Sequence, residues 1–383
     1  MGESNIPDSL ACPEQTPKRT HMHRRPFILS SVAALLTAGN PSITSAAQRQ
    51  QKSRRTEANE DPARPYLLRE DAMRFADDLA ERRGLDRQWV RSKIGQALFI
   101  RSIPRLMLPP PRGTAKNWAV YRSRFIDPVR IRAGVRFWAA NSSTLARAQE
   151  QFGVPPEIIV GIIGVETIYG QNMGSFRVID ALATLTFDFP AQHPRAQARQ
   201  AFFQDELEQF LSLCDRTGMD PVVPLGSYAG AMGMPQFMPS SWVKYAIDFD
   251  GDGRVDLWNS PADVIGSVAS YFQGFGWKPG MPTHYPVRLA PEADMDALLA
   301  PDILPSFSQA SFAAKGAVLS GAALDHVGPL ALIELQNGSA EPTFVAGTDN
   351  FYTITRYNWS SYYAMAVIDL GREVMAVRNT PIR

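Results

Sequence analysis

Two groups of acidic residues carry the chemistry this sequence offers. Glu166 lies in the run P-P-E-I-I-V-G-I-I-G-V-E-T-I-Y-G, seven residues after Ile159, four after Ile162, three after Ile163 and three before Tyr169. On a helix those intervals put its carboxylate on the apolar face. A carboxylate there is costly unless paired, and desolvation favours its neutral form, which moves it toward the range of a working general acid. A structural ion pair with Arg177 or Arg195 accounts for the same spacing. Glu157, in the first turn, is explained by the helix dipole. The second group is Asp248, Asp250 and Asp252, which alternate ahead of Gly253. That order matches ligand positions one, three and five and the turn glycine of an EF-hand loop, and hard oxygen donors so spaced favour calcium. Arg254 would give its backbone carbonyl, Asp256 takes the ninth place, and Asn259 stands in the twelfth, where a bidentate Glu is expected.

The elements that must hold these groups are mostly helical. Pro155 and Pro156 suit a first turn and Gly170 suits a stop, so a helix of about four turns carries Glu166. From Pro65 to about Gly280 the pattern stays helical. Asp86 is an N-cap for a helix bearing Trp89, Val90 and Ile94, while Phe203, Leu207, Phe210, Leu211 and Cys214 recur at helical spacing, which reads Cys214 as core. Asp180 reads as an N-cap before Ala181 and Leu182, and Asp188 as a loop residue. Gly226 to Ser241 holds three glycines, two prolines, Gln236 and Phe237 without a regular period, the mark of a tight backbone route along a ligand. Gln236 and Ser227 could hydrogen-bond a polar ligand, and Phe237 and the tyrosines could offer flat apolar faces. Between Pro282 and Gly347, short apolar runs such as Leu330 to Ile333 alternate with Pro, Gly, Ser and Asn, which predicts a small strand-rich insertion. Ser360 caps a last helix carrying Ala364, Val367 and Ile368. Val264, Val268 and Tyr271 form one helical stripe, so Tyr271 also reads as core.

Composition bounds the partners. The 383 residues contain 39 Lys and Arg against 38 Asp and Glu, and 45% are hydrophobic, so nucleic acid is not an expected partner. Two cysteines, Cys12 and Cys214, give neither a disulfide framework nor a Cys-rich zinc site. Arg24 and Arg25 precede an apolar run from Phe27 to Leu36, followed by Ser45, Ala46 and Ala47, which reads as a secretory signal within residues 1–47. The run is too short to span a bilayer, and no cysteine follows it, so neither an anchor nor a lipoprotein is expected. The arginine pair weakly resembles a twin-arginine signal, with Sec as the other route. Met22 is a second candidate start. Residues 48–64 are polar and charged, a disordered leader. Removal of residues 1–47 leaves a neutral chain.

Around Glu166 the sequence resembles the membrane-bound lytic transglycosylase B family, soluble and lipoprotein members alike, which cleave bacterial peptidoglycan. V-P-P-E-I-I-V-G-I-I-G-V-E-T-I-Y-G is joined in family order by D-A-L-A-T-L from Asp180, G-S-Y-A-G-A-M-G from Gly226, Q-F-M-P-S-S from Gln236, D-F-D-G-D-G from Asp248 and T-R-Y-N from Thr355. The resemblance covers roughly residues 66 to 383. It implies a mainly α (α+β) fold, with a helical region about 65–150, a lysozyme-like core about 151–281 and 348–383, and a small β-rich insertion about 282–347. It makes Glu166 the catalytic acid and then the base, cleaving between N-acetylmuramic acid and N-acetylglucosamine with formation of a 1,6-anhydro ring. It places Tyr121, Ser227, Gln236, Phe237, Tyr271, Tyr357, Asn358 and Tyr363 along the groove. Family members close the acidic loop with a later Asp, matched by Asp263, although Ser260, Pro261 and Asp263 also form a helix start in which Asp263 is a cap partner. The expected metal set is thus Asp248, Asp250, Asp252, Arg254 and Asp263, holding structural calcium, with no organic cofactor. The expected protein is a periplasmic monomer acting on glycan strands, with cell-wall synthesis proteins as further partners. Two rivals are a hydrolytic muramidase on the same fold and a wall-binding scaffold without turnover.

Overall fold

The computed structural model describes residues 64–109 and 116–380. The export signal and nearly all of the leader expected above lie outside them. The N-terminal part is a run of helices: α1 (Glu70–Arg83), α2 (Arg87–Gln96), α3 (Ser102–Leu106), α4 (Trp118–Arg122), α5 (Pro128–Ala140) and α6 (Ser142–Phe152). Their ends follow local chemistry. The Asp86 carboxylate accepts the Trp89 N–H to start α2, and Asp127 accepts those of Val129 and Arg130 to start α5, with Pro128 behind it.

The core continues through α7 (Pro156–Thr167), α8 (Val178–Phe187), α9 (Ala196–Thr217), α10 (Pro239–Tyr245) and α11 (Pro261–Gly274). After α12 (Met295–Leu299) and α13 (Gln309–Ala314) come α14 (Asp349–Thr355) and the long α15 (Ser361–Asn379), which returns to pack most extensively on α7. Glycines set how close α7 and α15 come. A Cβ on Gly161 would lie 2.2 Å from the Val367 carbonyl oxygen, and one on Gly371 would lie 2.0 Å from that of Glu157. Only bare backbones fit at that separation. One continuous apolar core runs through this body, with Ile159, Ile162 and Ile163 of α7 against Val367 and Leu370 of α15 among its members.

Asp180 does not cap α8 as the sequence reading expected. The helix begins two residues earlier, and Asp180 sits in its first turn, paired with Arg177 at 2.7 Å and accepting the Leu98 N–H at 2.9 Å. Asp188 ends α8 and accepts the Tyr66 hydroxyl and the Arg69 guanidinium.

Two small sheets complete the described residues. β1 (Phe176–Arg177) pairs antiparallel with β2 (Leu225–Gly226). The other four strands, β3 (His284–Leu289), β4 (Ala317–Leu319), β5 (Ala331–Asn337) and β6 (Ala340–Gly347), form an antiparallel sheet in the order β4-β3-β6-β5. Alternation along these strands serves two cores at once. Leu332 and Ala346 face a local cluster with Tyr285, Leu298, Phe307 and Phe312, whereas Ile333, Leu335 and Val345 join the main core. The sheet is thereby fixed to the helical body through β5 and β6.

Candidate active site

Helix α7 stops at Thr167, three residues short of the expected glycine, because Ile168 and Tyr169 both turn left-handed, with φ of 52° and 56°. Each such residue costs on the order of 1 kcal/mol and persists only when its surroundings enforce it. The enforcement comes from the Tyr169 ring, which swings back between two helices. A Cβ on Gly134 would lie 2.4 Å from the Tyr169 hydroxyl and one on Gly164 2.5 Å from it. Thr167 secures the same end. Its hydroxyl donates to the Met234 carbonyl at 2.8 Å and accepts the Gly170 N–H at 3.1 Å. Glu166 therefore sits on the last turn of a helix whose exit is locked on both sides.

The Glu166 side chain is crowded by protein yet keeps some contact with solvent. The Tyr363 hydroxyl donates to its Oε1. Burial pushes the carboxyl up to about 7, and the Tyr363 hydrogen bond, which favours the charged form, restrains that rise. The ion pair with Arg177 that the spacing also allowed is not formed, because Arg177 is engaged by Asp180. At neutral pH the group is divided between acid and base, as a proton-transfer residue requires.

Four tyrosines surround this charge. Burial raises the hydroxyl pKa of Tyr121, Tyr271, Tyr357 and Tyr363, and the Glu166 charge adds to the rise in each. Tyr121 reaches about 12 and remains half-buried. Tyr363 is placed by the helix start, since Ser360 Oγ accepts its N–H at 3.3 Å. Tyr357 stacks on Tyr363 with ring centroids 6.4 Å apart and planes 15° from parallel.

The segment from Gly226 to Ser241 follows the tight route expected. Ser227 Oγ accepts the N–H groups of Ala229 and Ala231, which leaves its own proton free to donate. Gln236, with φ of 52°, donates its amide to Met173 and Gly233 carbonyls, so its side-chain oxygen faces no protein donor among the described residues. Pro235 accepts the Tyr357 hydroxyl at 2.5 Å. Asn358 is 5% exposed with no side-chain hydrogen bond among the described residues. Phe237 is placed differently from the expectation of a flat groove face, and Tyr271 follows the core reading of its stripe. They are 2% and 5% exposed and pack on each other and on Tyr357. The Tyr271 hydroxyl is also consumed, donating to the Arg356 carbonyl at 2.7 Å. Both rings back the site from inside the core.

The acidic loop lies to one side. Ligand-capable oxygens of Asp248, Asp250 and Asp252 come within 4.8 Å of one another, a hard anionic cluster suited to a divalent cation. Asp248 already folds the loop by accepting the Gly251, Asp252 and Gly253 N–H groups. The Arg254 side chain pairs with Asp252 at 3.1 Å, which leaves its backbone carbonyl uninvolved in that contact. Asp263 is not in that cluster of oxygens, although it accepts the Asp250 N–H at 3.4 Å. Buried, it accepts the N–H groups of Phe249 and Asp256 at 2.7 and 2.8 Å, so its oxygens brace the loop from below. The Ser260 hydroxyl accepts the Asp263 N–H, so the helix-start reading of that residue is also realised.

The model of the transglycosylase SLT domain matches residues 68–372. This chain belongs to the transglycosylase SLT family. It is 41% identical over 324 residues to membrane-bound lytic murein transglycosylase B of Escherichia coli (strain K12), across 80% of this chain and 83% of that protein. The Escherichia coli lytic transglycosylase SLT35, solved in complex with calcium, superposes with a TM-score of 0.71 at 39% identity, covering 83% of this chain and 96% of that one. SltB3 of Pseudomonas aeruginosa, in complex with NAG-anhNAM-pentapeptide, matches at a TM-score of 0.63 and 27% identity over 78% of each chain. The mainly helical, lysozyme-like fold expected from the sequence is the fold shared with these SLT enzymes.

Four contributors to this SLT site were not singled out from sequence. Thr167 follows Glu166 directly, and its tie to Met234 depends on a residue 67 positions away. Gly161, Gly164 and Gly371 were visible only as glycines inside helical runs. A glycine there costs about 1 kcal/mol against alanine, which is the signal that close packing is being served.

Proposed function

We propose that this chain is an exported lytic transglycosylase that cleaves the MurNAc–GlcNAc β-1,4 bond of peptidoglycan and leaves 1,6-anhydro-MurNAc ends. Glu166 in its neutral form gives its proton to the glycosidic oxygen as the bond to C1 breaks. The substrate's own acetamido group steadies the developing cation. The resulting Glu166 carboxylate, held by the Tyr363 hydroxyl, takes the proton of the muramoyl C6 hydroxyl as that oxygen bonds to C1. The proton count closes, Glu166 returns to its acid form, and no water is consumed.

The observation that carries this reading is the environment of Glu166, a crowded carboxyl poised near neutrality and hydrogen-bonded by Tyr363. Hydrolytic glycosidases place a partner carboxylate about 5–9.5 Å away, whereas an intramolecular hydroxyl nucleophile needs one group acting twice. Ser227, Gln236, Tyr357 and Asn358 offer free polar atoms and ring edges for the sugars around the bond. Asp248, Asp250 and Asp252, with the Arg254 carbonyl, would hold calcium that stiffens the loop, a structural role supported by the calcium complex of SLT35. The signal-like stretch at Arg24 to Ala47 supports a periplasmic location.

Glu166→Gln tests the assignment. The variant should lose roughly 10²–10⁴-fold in turnover while keeping its fold and its affinity for glycan strands. Retained turnover would remove Glu166 from the acid role.

A further inference from the structure

The helical stripe of α9 hides a second buried acid. Glu206 lies three residues after Phe203 and four before Phe210, on the apolar face, and is 2% exposed. Its neighbour Glu208 is also buried but is neutralised by Arg82 and Arg83. Glu206 has a different arrangement. One oxygen accepts the Ser240 N–H at 2.8 Å and the other accepts the Ser240 hydroxyl at 2.6 Å. Burial pushes its carboxyl up to about 7, and the two Ser240 donors act against that rise. A buried acid held this way is expensive and must secure something.

Ser240 opens α10, directly after the segment that serves the catalytic acid. Within a few residues of it, Met234 accepts the Thr167 hydroxyl, Pro235 accepts the Tyr357 hydroxyl, and Gln236 donates its amide to the Met173 and Gly233 carbonyls. Tyr357 in turn stacks on Tyr363, which donates to Glu166. Met232 and Phe237 exchange backbone hydrogen bonds at 2.8 and 3.1 Å, which closes this stretch into one hydrogen-bonded loop. Its far end is tied to the body of the protein at Ser240.

We propose that Glu206 is a positioning residue for the reaction at Glu166, acting through Ser240 to hold the 232–240 segment in register with Thr167 and the Tyr357–Tyr363 stack. It touches no substrate. The role rests on Glu166 being the catalytic acid, and displacement of this segment by about 1 Å would be felt as a fall in kcat of up to a hundredfold.

The test compares Glu206→Ala, Glu206→Gln and Ser240→Ala as full-length enzymes on purified peptidoglycan, with melting curves taken alongside. Glutamine can keep both contacts, accepting the Ser240 N–H and donating to its hydroxyl, without a charge. Alanine should lower kcat by about 10- to 100-fold with KM changed by less than about threefold, and glutamine should restore kcat to within about threefold of the parent. A folded alanine variant with parental kcat overturns the proposal. So does a glutamine variant as slow as the alanine one, which would assign the effect to the charge. If Glu206→Ala does not fold at the assay temperature, Ser240→Ala, which removes one of the two bonds, decides: a kcat lowered by about 3- to 10-fold supports the role and an unchanged kcat overturns it. Glu166→Gln run in parallel separates the two claims, because turnover surviving in that variant refutes the acid assignment whatever Glu206 does.

Discussion

The Tyr363 hydroxyl, on the first turn of α15, donates to the Glu166 carboxylate on the last turn of α7. The two helices run against each other closely enough for this only because Gly161 and Gly371 bring backbone to backbone. One contact thus joins the packing of the core to the protonation of the acid.

Removing that donor should move the pH profile. Tyr363→Phe takes away a hydrogen bond that favours the charged form of Glu166, so its pKa rises above the present value of about 7. A hydrogen bond to a charged group contributes about 1.5–3 kcal/mol, so the alkaline limb of kcat/KM should shift upward by about one unit or more. An alkaline limb that stays in place would show that Tyr363 does not act on the acid.

Glu166 should also cost the protein stability at alkaline pH. Its folded pKa of about 7 lies above the unfolded value near 4.5, so the folded state binds the proton more tightly. Stability therefore falls as pH rises from about 4.5 through 7, and stays low above that. Glu166→Gln should melt higher than the parent at pH 8, by the equivalent of roughly 2 kcal/mol, with the gap closing by pH 4.5. Equal melting curves at both pH values would contradict the shifted acid.

How much of this was legible is decided by whether the cause was local. Glu166 could be found because its intervals to Ile159, Ile162 and Ile163 mark one helix face, and Ser360 could be found because capping acts within three residues. The strand-rich stretch from Pro282 showed itself through short apolar runs and turn residues. The end of α7 could not be read, since the left-handed Ile168 and Tyr169 depend on the Tyr169 ring packing against Gly134 of α5 as well as Gly164 of its own helix. Phe237 was recognisable as aromatic but not as inward-facing, whereas Tyr271 could be read as core from its stripe with Val264 and Val268. Asp263 offered two roles, and spacing alone did not show that its oxygens accept the Phe249 and Asp256 N–H groups while Ser260 accepts its own. Glu206 carried the same spacing signal as Glu166 and had no motif to draw attention to it.

The glycine contacts make a packing prediction. A Cβ at Gly371 meets the Glu157 carbonyl oxygen at 2.0 Å, and backbone cannot yield as a side-chain tip can. Gly371→Ala should destabilise by about 1–3 kcal/mol in urea unfolding and lower activity by parting Tyr363 from Glu166. A variant as stable and active as the parent would show that α7 and α15 can separate freely.

Calcium should act on the loop and leave the chemistry alone. Free ion at about a hundred times its Kd should stabilise by about 2.7 kcal/mol, raising the melting temperature, with kcat unchanged. Asp250→Asn should weaken that response. A chelated enzyme that melts as before but no longer turns over would place the ion in the reaction instead.

The most direct test of the central claim is the mass of the products released from purified peptidoglycan. Closing the C6 hydroxyl onto C1 leaves an anhydro end one water lighter than a reducing end. Single action by Glu166 as acid and then base requires anhydro muropeptides as the products of the parent enzyme and their loss in Glu166→Gln. Reducing ends from the parent would contradict it, because water would then be the nucleophile and a second carboxylate would have to serve it.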